Sequence, residues 1–158
     1  MRRLARHLLH GSRETYEAAH RPAVIETAER YFAEWTAGRY SRIIAPLGRQ
    51  IEAVEHRDGT QVAIGDLSHG TAQQLYLAVR FGLVEHFSEA AEPLPIVMDD
   101  ILVNFDDERA ALAARSIECL AERHQVIYFT CHPETPLVGG LQVQLDRLET
   151  VQQAAGVQ

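Results

Sequence analysis

Two short apolar runs, Leu94 to Met98 in PLPIVMDD and Val126 to Thr130 in QVIYFT, flank a single helical stretch, and this triplet limits the fold more than any other feature. Each run is continuously apolar rather than alternating, the pattern of a strand covered on both faces. The stretch between them opens on Asp106, Asp107 and Glu108, where a helix macrodipole favours anions, and closes on Arg123 and His124, so a helix is predicted over about 106 to 124. A strand, a crossover helix and a second strand form a parallel pair, because antiparallel neighbours need only a hairpin. The alternating LQVQL segment, 141 to 145, predicts a third strand.

Upstream, QIEAVEHRDGTQVAI places Asp58-Gly59 between short apolar alternations, a strong two-residue hairpin signal. A long helix opens at Ser68. Its apolar residues fall on two faces, Leu75, Ala78, Val79, Gly82 and Leu83 on one and Leu77, Phe81 and Val84 on the other, so burial on more than one side is expected. Near the start, Pro22 suits a first helical turn, Val24, Ala28, Tyr31, Phe32 and Trp35 follow a helical spacing, and Gly38 supplies a stop. That stripe reads either as ordinary core or as the root of a coiled coil.

The formal net charge is −7, from 15 basic and 22 acidic residues, so the chain as a whole is no electrostatic footprint for nucleic acid or an anionic membrane. Every basic residue is Arg, which excludes Schiff-base chemistry and any phosphate-loop lysine. No apolar run approaches the roughly 18 to 20 residues of a membrane span, and the Arg-rich start has no signal-peptide core. Cys119 and Cys131 show no disulfide framework, which points to a reduced, cytoplasmic setting.

In an open α/β sheet, sites form outside the carboxyl ends of the strands, and here that edge receives Asp99, Asp100 and His132, which are expected to converge. Paired carboxylates suit Mg²⁺, one holding the ion and the other orienting a water. As simple strand caps they would carry no chemistry. Cys131-His132 lacks further ligands at matching spacing, and His7 and His10 lack partners nearby, so zinc is not expected. Ser68-His69-Gly70 opens the long helix, where backbone N–H groups and the macrodipole suit a phosphate, although a plain Ser/Gly helix start looks the same.

Taken in order, LSHGTAQQ at 67 to 74, IVMDD at 96 to 100, NFD at 104 to 106 and FTCHP at 129 to 133 follow the ABC-ATPase signature, Walker B, D-loop and H-loop. The chain resembles the C-terminal lobe of an SMC-like coiled-coil ATPase head, nearest to SbcC-type and YhaN-type proteins, over about residues 20 to 146. The resemblance implies an α/β fold, the C-terminal lobe of an ABC-type P-loop ATPase head with a β-hairpin, parallel strands and flanking helices. Residues 1–38 would form a helical coiled-coil root and 39–158 the lobe.

It implies ATP and Mg²⁺ as cofactors. Ser68, His69, Gly70 and Gln73 would meet the nucleotide of an opposing head, with Gln74 on the same helix. Asp99 would serve Mg²⁺ through its water, Asp100 would position the attacking water, His132 would contact the γ-phosphate, and Asn104 and Asp106 would form the D-loop. Implied partners are a Walker A lobe, a second head, an SbcD-like metallophosphoesterase nuclease and DNA, reached mainly through other parts of the assembly, with no membrane.

Two positions depart from the pattern: His69 stands where many members have Gly, and Asp100 stands where Glu is usual, shorter by one bond of about 1.5 Å. A misplacement of order 1 Å can cost about 10²-fold in rate. The sequence has no GxxxxGK[ST] phosphate loop, so the chain alone is expected to be inactive. The resulting reading is the C-terminal half of an ATP-hydrolysing head that dimerises on ATP in DNA repair or end processing. A non-catalytic interaction module and a fragment of an ABC transporter subunit are the alternatives.

Overall fold

Trp35 ends the first helix and occupies the centre of the core in the computed structural model, which describes residues 23–46, 50–132, 136–137 and 139–145. Helix α1 (Ala23–Trp35) buries Ile25, Ala28, Tyr31, Phe32 and Trp35. The predicted stripe is therefore core, with Ile25 taking the place assigned to Val24, which is half-buried. The helix stops through two successive left-handed residues, Ala37 at φ 49° and Gly38 at φ 70°. Gly38 N–H donates back to the Ala33 carbonyl at 2.8 Å, satisfying an end carbonyl as C-terminal caps do. Residues 1–22, including the proposed beginning of the coiled-coil root, His7 and His10, lie outside the described residues.

Three antiparallel strands follow as a meander, β1 (Tyr40–Ile44), β2 (Ala53–His56) and β3 (Gln61–Ala63). The predicted hairpin is β2–β3, and its turn has Gly59 at φ 86°, a conformation only glycine adopts without strain. Asp58 accepts from the Thr60 N–H at 2.8 Å and pairs with His56, which together hold its carboxyl down at about 2. The sequence reading did not include β1. YSRII is short, and a bulge at Ser41 between Tyr40 and Arg42 interrupts its register, blurring any alternation.

Helix α2 (His69–Ala90) lies against α1, with Leu75, Leu77, Ala78 and Phe81 buried. The two-faced burial expected of it holds in part: Val79 and Val84 are half-buried, whereas Leu83 is exposed. Strand β4 (Ile96–Asp99), helix α3 (Asp107–Ala121) and strand β5 (Val126–Phe129) form the parallel crossover unit, pairing Ile96 with Val126 through to Asp99 with Phe129. The β4 run starts later than predicted, since Leu94 is exposed. Helix α3 ends before 124, where His124 turns inward to bond the Leu94 carbonyl at 3.0 Å and Ser88 at 2.9 Å. The expected third strand does not form. Leu141, Val143 and Leu145 are all exposed and pair with no strand among the described residues, so alternation there marks no buried face. The fold is thus α/β, with one parallel and one antiparallel sheet among the described residues.

The α1–α2 contact is close because Gly82 has no side chain. A Cβ there would lie 2.5 Å from the Val24 carbonyl oxygen and 3.2 Å from the Ala28 nitrogen. Gly82→Ala is expected to lower stability by about 1–3 kcal/mol, since it forces the helices apart. Gly65→Ala, with open space around its Cβ, serves as the control and should be neutral or stabilising by up to about 1 kcal/mol. Denaturant midpoints of the two variants measure the difference.

Candidate nucleotide-binding site

The parallel pair delivers its carboxylates in different directions. Asp99 is the last residue of β4 and shares the exposed sheet face with Val97, Ile127 and Phe129, while Met98 and Tyr128 point the other way, toward the core. Asp100 then leaves the strand in the left-handed region, at φ 46°, a conformation that the short polar Asp side chain tolerates better than most. The turn brings its carboxyl onto the end of β5. Asp100 N–H donates to the Phe129 carbonyl at 2.9 Å, and its two oxygens accept from the Cys131 N–H at 3.3 Å and the Cys131 thiol at 3.1 Å.

Hydrogen bonds from Thr130 and then Cys131 hold the Asp100 carboxyl below the usual carboxylate range, so it is ionised at neutral pH. The reverse effect acts on the thiol. Cys131 is pushed up, first because it would lose its bond to Asp100 on ionising and then through desolvation and the nearby negative charge. His132 completes the group, its backbone N–H bonded to Thr130 Oγ1 at 3.0 Å. Ligand atoms of Asp100, Cys131 and His132 all lie within 4.8 Å of one another. Two of the three residues expected to converge do so, and Asp99 stands beside them on the open face. His132 closes the described part of the loop, and Pro133 lies outside it.

At the start of the long helix, Ser68 caps α2, its hydroxyl accepting from the Thr71 N–H at 3.3 Å and sharing a hydrogen bond with Thr71 Oγ1 at 2.8 Å. One turn on, His69 Nε2 and Gln73 Nε2 lie 3.0 Å apart. Gly70 faces the segment 104–106: a Cβ on it would meet the Asn104 carbonyl oxygen at 3.1 Å. Asp106 caps α3 by accepting from the Arg109 N–H at 3.0 Å, and its other oxygen pairs with Arg109 Nε at 3.1 Å. Arg109 also donates to Gln74 Oε1 at 3.4 Å. Gln74 is fully buried, and its Nε2 has no hydrogen-bond partner among the described residues.

Sequence reading did not single out Arg109 or Phe105, weighed Cys131 only as a zinc ligand beside His132 and set it aside, and left Gln74 without a role. A signal for Gln74 exists, because it lies i−4 and i−7 from the buried Ala78 and Phe81 on the apolar face of α2. None exists for Cys131, whose partner is 31 residues away.

No protein-family model matches the chain. YhaN of Bacillus subtilis (strain 168) is 34% identical over 130 residues, which is 82% of this chain and 13% of YhaN. A structure from work on ATP-driven dimerization and DNA-stimulated activation of SMC ATPases superposes with a TM-score of 0.59 at 19% identity, covering 79% of this chain and 75% of that one. The chain therefore has the fold of the C-terminal lobe of SMC heads. The Pyrococcus furiosus Smc head with an extended coiled coil, bound to the C-terminal domain of ScpA, gives 0.55 at 20% identity, covering 70% of this chain and 28% of that one. The SMC-like lobe thus spans about an eighth of the length of the curated relative it matches. Among the described residues, no helix is long and apolar enough to cross a membrane.

The contact between Asp100 and Cys131 can be read in solution. Asp100→Asn removes the charge that raises the thiol, so the pH profile for alkylation of Cys131 should shift to lower pH, with several-fold faster labelling near neutrality. Cys119, also a free and exposed thiol, is the internal reference in the same mass spectrum. An unshifted profile would mean that the thiol and the carboxylate are apart in solution.

Proposed function

We propose that this lobe is the catalytic C-terminal half of an ATP-binding and hydrolysing head, working with a Walker A lobe and a second head in DNA repair or DNA end processing. The observation that carries this reading is the meeting of Asp100 and His132 at two adjacent parallel strand ends. The contact of Gly70 with the Asn104 backbone supports it, because it ties the signature to the D-loop.

The need for a second lobe rests on two features. The chain contains no Lys and no phosphate loop. The sheet face formed by Val97, Ile127 and Phe129 is exposed, an apolar surface suited to burial beneath another lobe.

ATP and Mg²⁺ are the cofactors this function requires, and the residues present fit them. Asp99 offers an exposed hard-oxygen ligand at the strand end, suited to a cation that keeps most of its waters. The nucleotide–metal complex supplies the phosphoryl group and neutralises its charge. The ionised Asp100 orients a water and accepts its hydrogen bond, while His132 meets the γ-phosphate from the same edge. Ser68 and Gly70, with His69 and Gln73 beside them, present a hydroxyl and backbone N–H groups at a helix N-terminus to a nucleotide on the opposing head. Asn104 and Asp106 link the two sites across the head dimer.

A second head is the expected partner, in line with the ATP-driven dimerization described for the SMC ATPases that share this fold. The complete assembly would reach DNA and an SbcD-like metallophosphoesterase nuclease in the cytoplasm. The net charge of −7 argues that DNA is held mainly elsewhere in that assembly.

Mg·ATP turnover by the chain alone, and again after addition of a Walker A lobe of a YhaN-type protein, tests the reading. The expected result is silence alone and turnover on mixing, with Asp100→Ala lowering kcat by roughly 10²- to 10⁴-fold. Intact turnover in Asp100→Ala would remove that residue from catalysis. Silence in both mixtures would make the lobe a non-catalytic interaction module.

A further inference from the structure

Asp100, Cys131 and His132 offer a carboxylate, a thiol and an imidazole, three chemically different donors within 4.8 Å of one another. The backbone helps set their spacing: Asp100 N–H donates to the Phe129 carbonyl at 2.9 Å, and Cys131 N–H donates to the Asp100 side chain at Oδ1, 3.3 Å away. The cluster lies at the solvent edge, with Cys131 and His132 exposed, so an ion can reach it.

We propose that these three residues bind a thiophilic divalent cation of the Zn²⁺ type, with the fourth coordination position open to water. Ligands of a tetrahedral zinc sit about 2.0–2.3 Å from the metal and hence about 3.5 Å from one another. Cys131 Sγ and Asp100 Oδ2 already lie 3.1 Å apart and a His132 ring nitrogen lies within 4.8 Å of both, so the site closes by drawing the imidazole inward and slightly spreading that pair. On binding, the thiol proton leaves to solvent and a sulfur lone pair forms the metal bond. The cation then neutralises the repulsion between thiolate and carboxylate. Mg²⁺ prefers oxygen and does not compete for a thiolate, so this donor set separates zinc from the metal that accompanies a nucleotide. The sequence places Asp100 and His132 at one strand edge, but the contact of Asp100 with Cys131, 31 residues on, is seen only in the structure.

One consequence rests on the ATPase reading. Asp100 and His132 cannot ligate zinc and serve the nucleotide at the same time, so zinc should arrest turnover.

Titration of the full chain with Co²⁺ alone, followed by Zn²⁺, tests the site without any nucleotide. The expected result is a thiolate-to-cobalt charge-transfer band with intense tetrahedral visible bands that saturate at one equivalent and are bleached by Zn²⁺. Cys131→Ser should abolish the charge-transfer band and weaken zinc by more than the roughly 10- to 100-fold that loss of an outer-sphere partner costs. His132→Ala should weaken it as well. Cys119→Ser should leave the spectrum unchanged, and far-ultraviolet circular dichroism of each variant checks its fold. A band that survives Cys131→Ser, one lost in Cys119→Ser, or no band at all would overturn the proposal.

In the mixed head, inhibition by zinc is measured against each protein's own Mg·ATP turnover without zinc and should be lost in Cys131→Ser. Cobalt bands without any ATP turnover would support the metal site and place the failure in the ATPase reading. Turnover without cobalt bands would do the reverse.

Discussion

Burial of Trp35 is the constraint on which the other elements depend. Its indole is fully buried, stands edge-on to Phe81 at 5.2 Å, and lies 5.5 Å from Tyr31 and 6.4 Å from Phe105. A buried indole N–H needs an acceptor, and Nε1 finds Ser116 Oγ on α3 at 2.9 Å. One side chain therefore ties α1 to α2, to α3 and to Phe105 in the segment before α3. The α1–α2 seam is reinforced at its edge by Glu85, which receives Arg30 at 2.8 Å and the Tyr31 hydroxyl. Burial and that bond keep the Tyr31 phenol protonated well above its ordinary range. An exposed ion pair alone contributes little, so apolar packing of the stripe is what holds α1 in place.

This core reaches the site through backbone contacts. Phe105 is flanked by Asn104, whose carbonyl faces Gly70, and by Asp106, which caps α3 and pairs with Arg109. Arg109 in turn reaches the buried Gln74 on α2. A polar side chain inside an apolar face costs free energy unless its groups are bonded. Gln74 therefore makes the start of α2 sensitive to where Arg109 and the segment 104–106 stand. The start of α2 and the segment 104–106 thus meet at Gly70 and Asn104 and again through Gln74 and Arg109.

The departure at Asp100 also has a physical basis. Its backbone is left-handed, and Asp hydrogen-bonds locally with a short side chain in a way that offsets some of the cost of that conformation. From there a short carboxyl reaches Cys131 directly. A longer acid on the same backbone would have to fold back or project past the thiol. How far this acid reaches is thus set by the backbone as well as by side-chain length.

Much of the fold is legible from local pattern: the helical stripe from Ala28 to Trp35, the Asp58-Gly59 turn, the Ser68 and Asp106 caps and the two β-branched runs each encode structure within a few residues. The parallel pairing of β4 with β5 follows from the crossover helix, and with it the placing of Asp99, Asp100 and His132 at one edge. Alternation in LQVQL predicted a strand that the structure lacks, because period-two patterning signifies burial only where a partner strand and a covering layer exist. What the sequence by itself determined is the set of elements, their order and the residue types that reach the strand ends, since these depend on neighbours along the chain. Only the tertiary structure decided that Asp100 meets Cys131, that Gly70 rests on Asn104 and that Gln74 is buried beside Arg109. Those contacts join residues 31 to 35 positions apart, and their geometry is fixed by how the helices pack around Trp35.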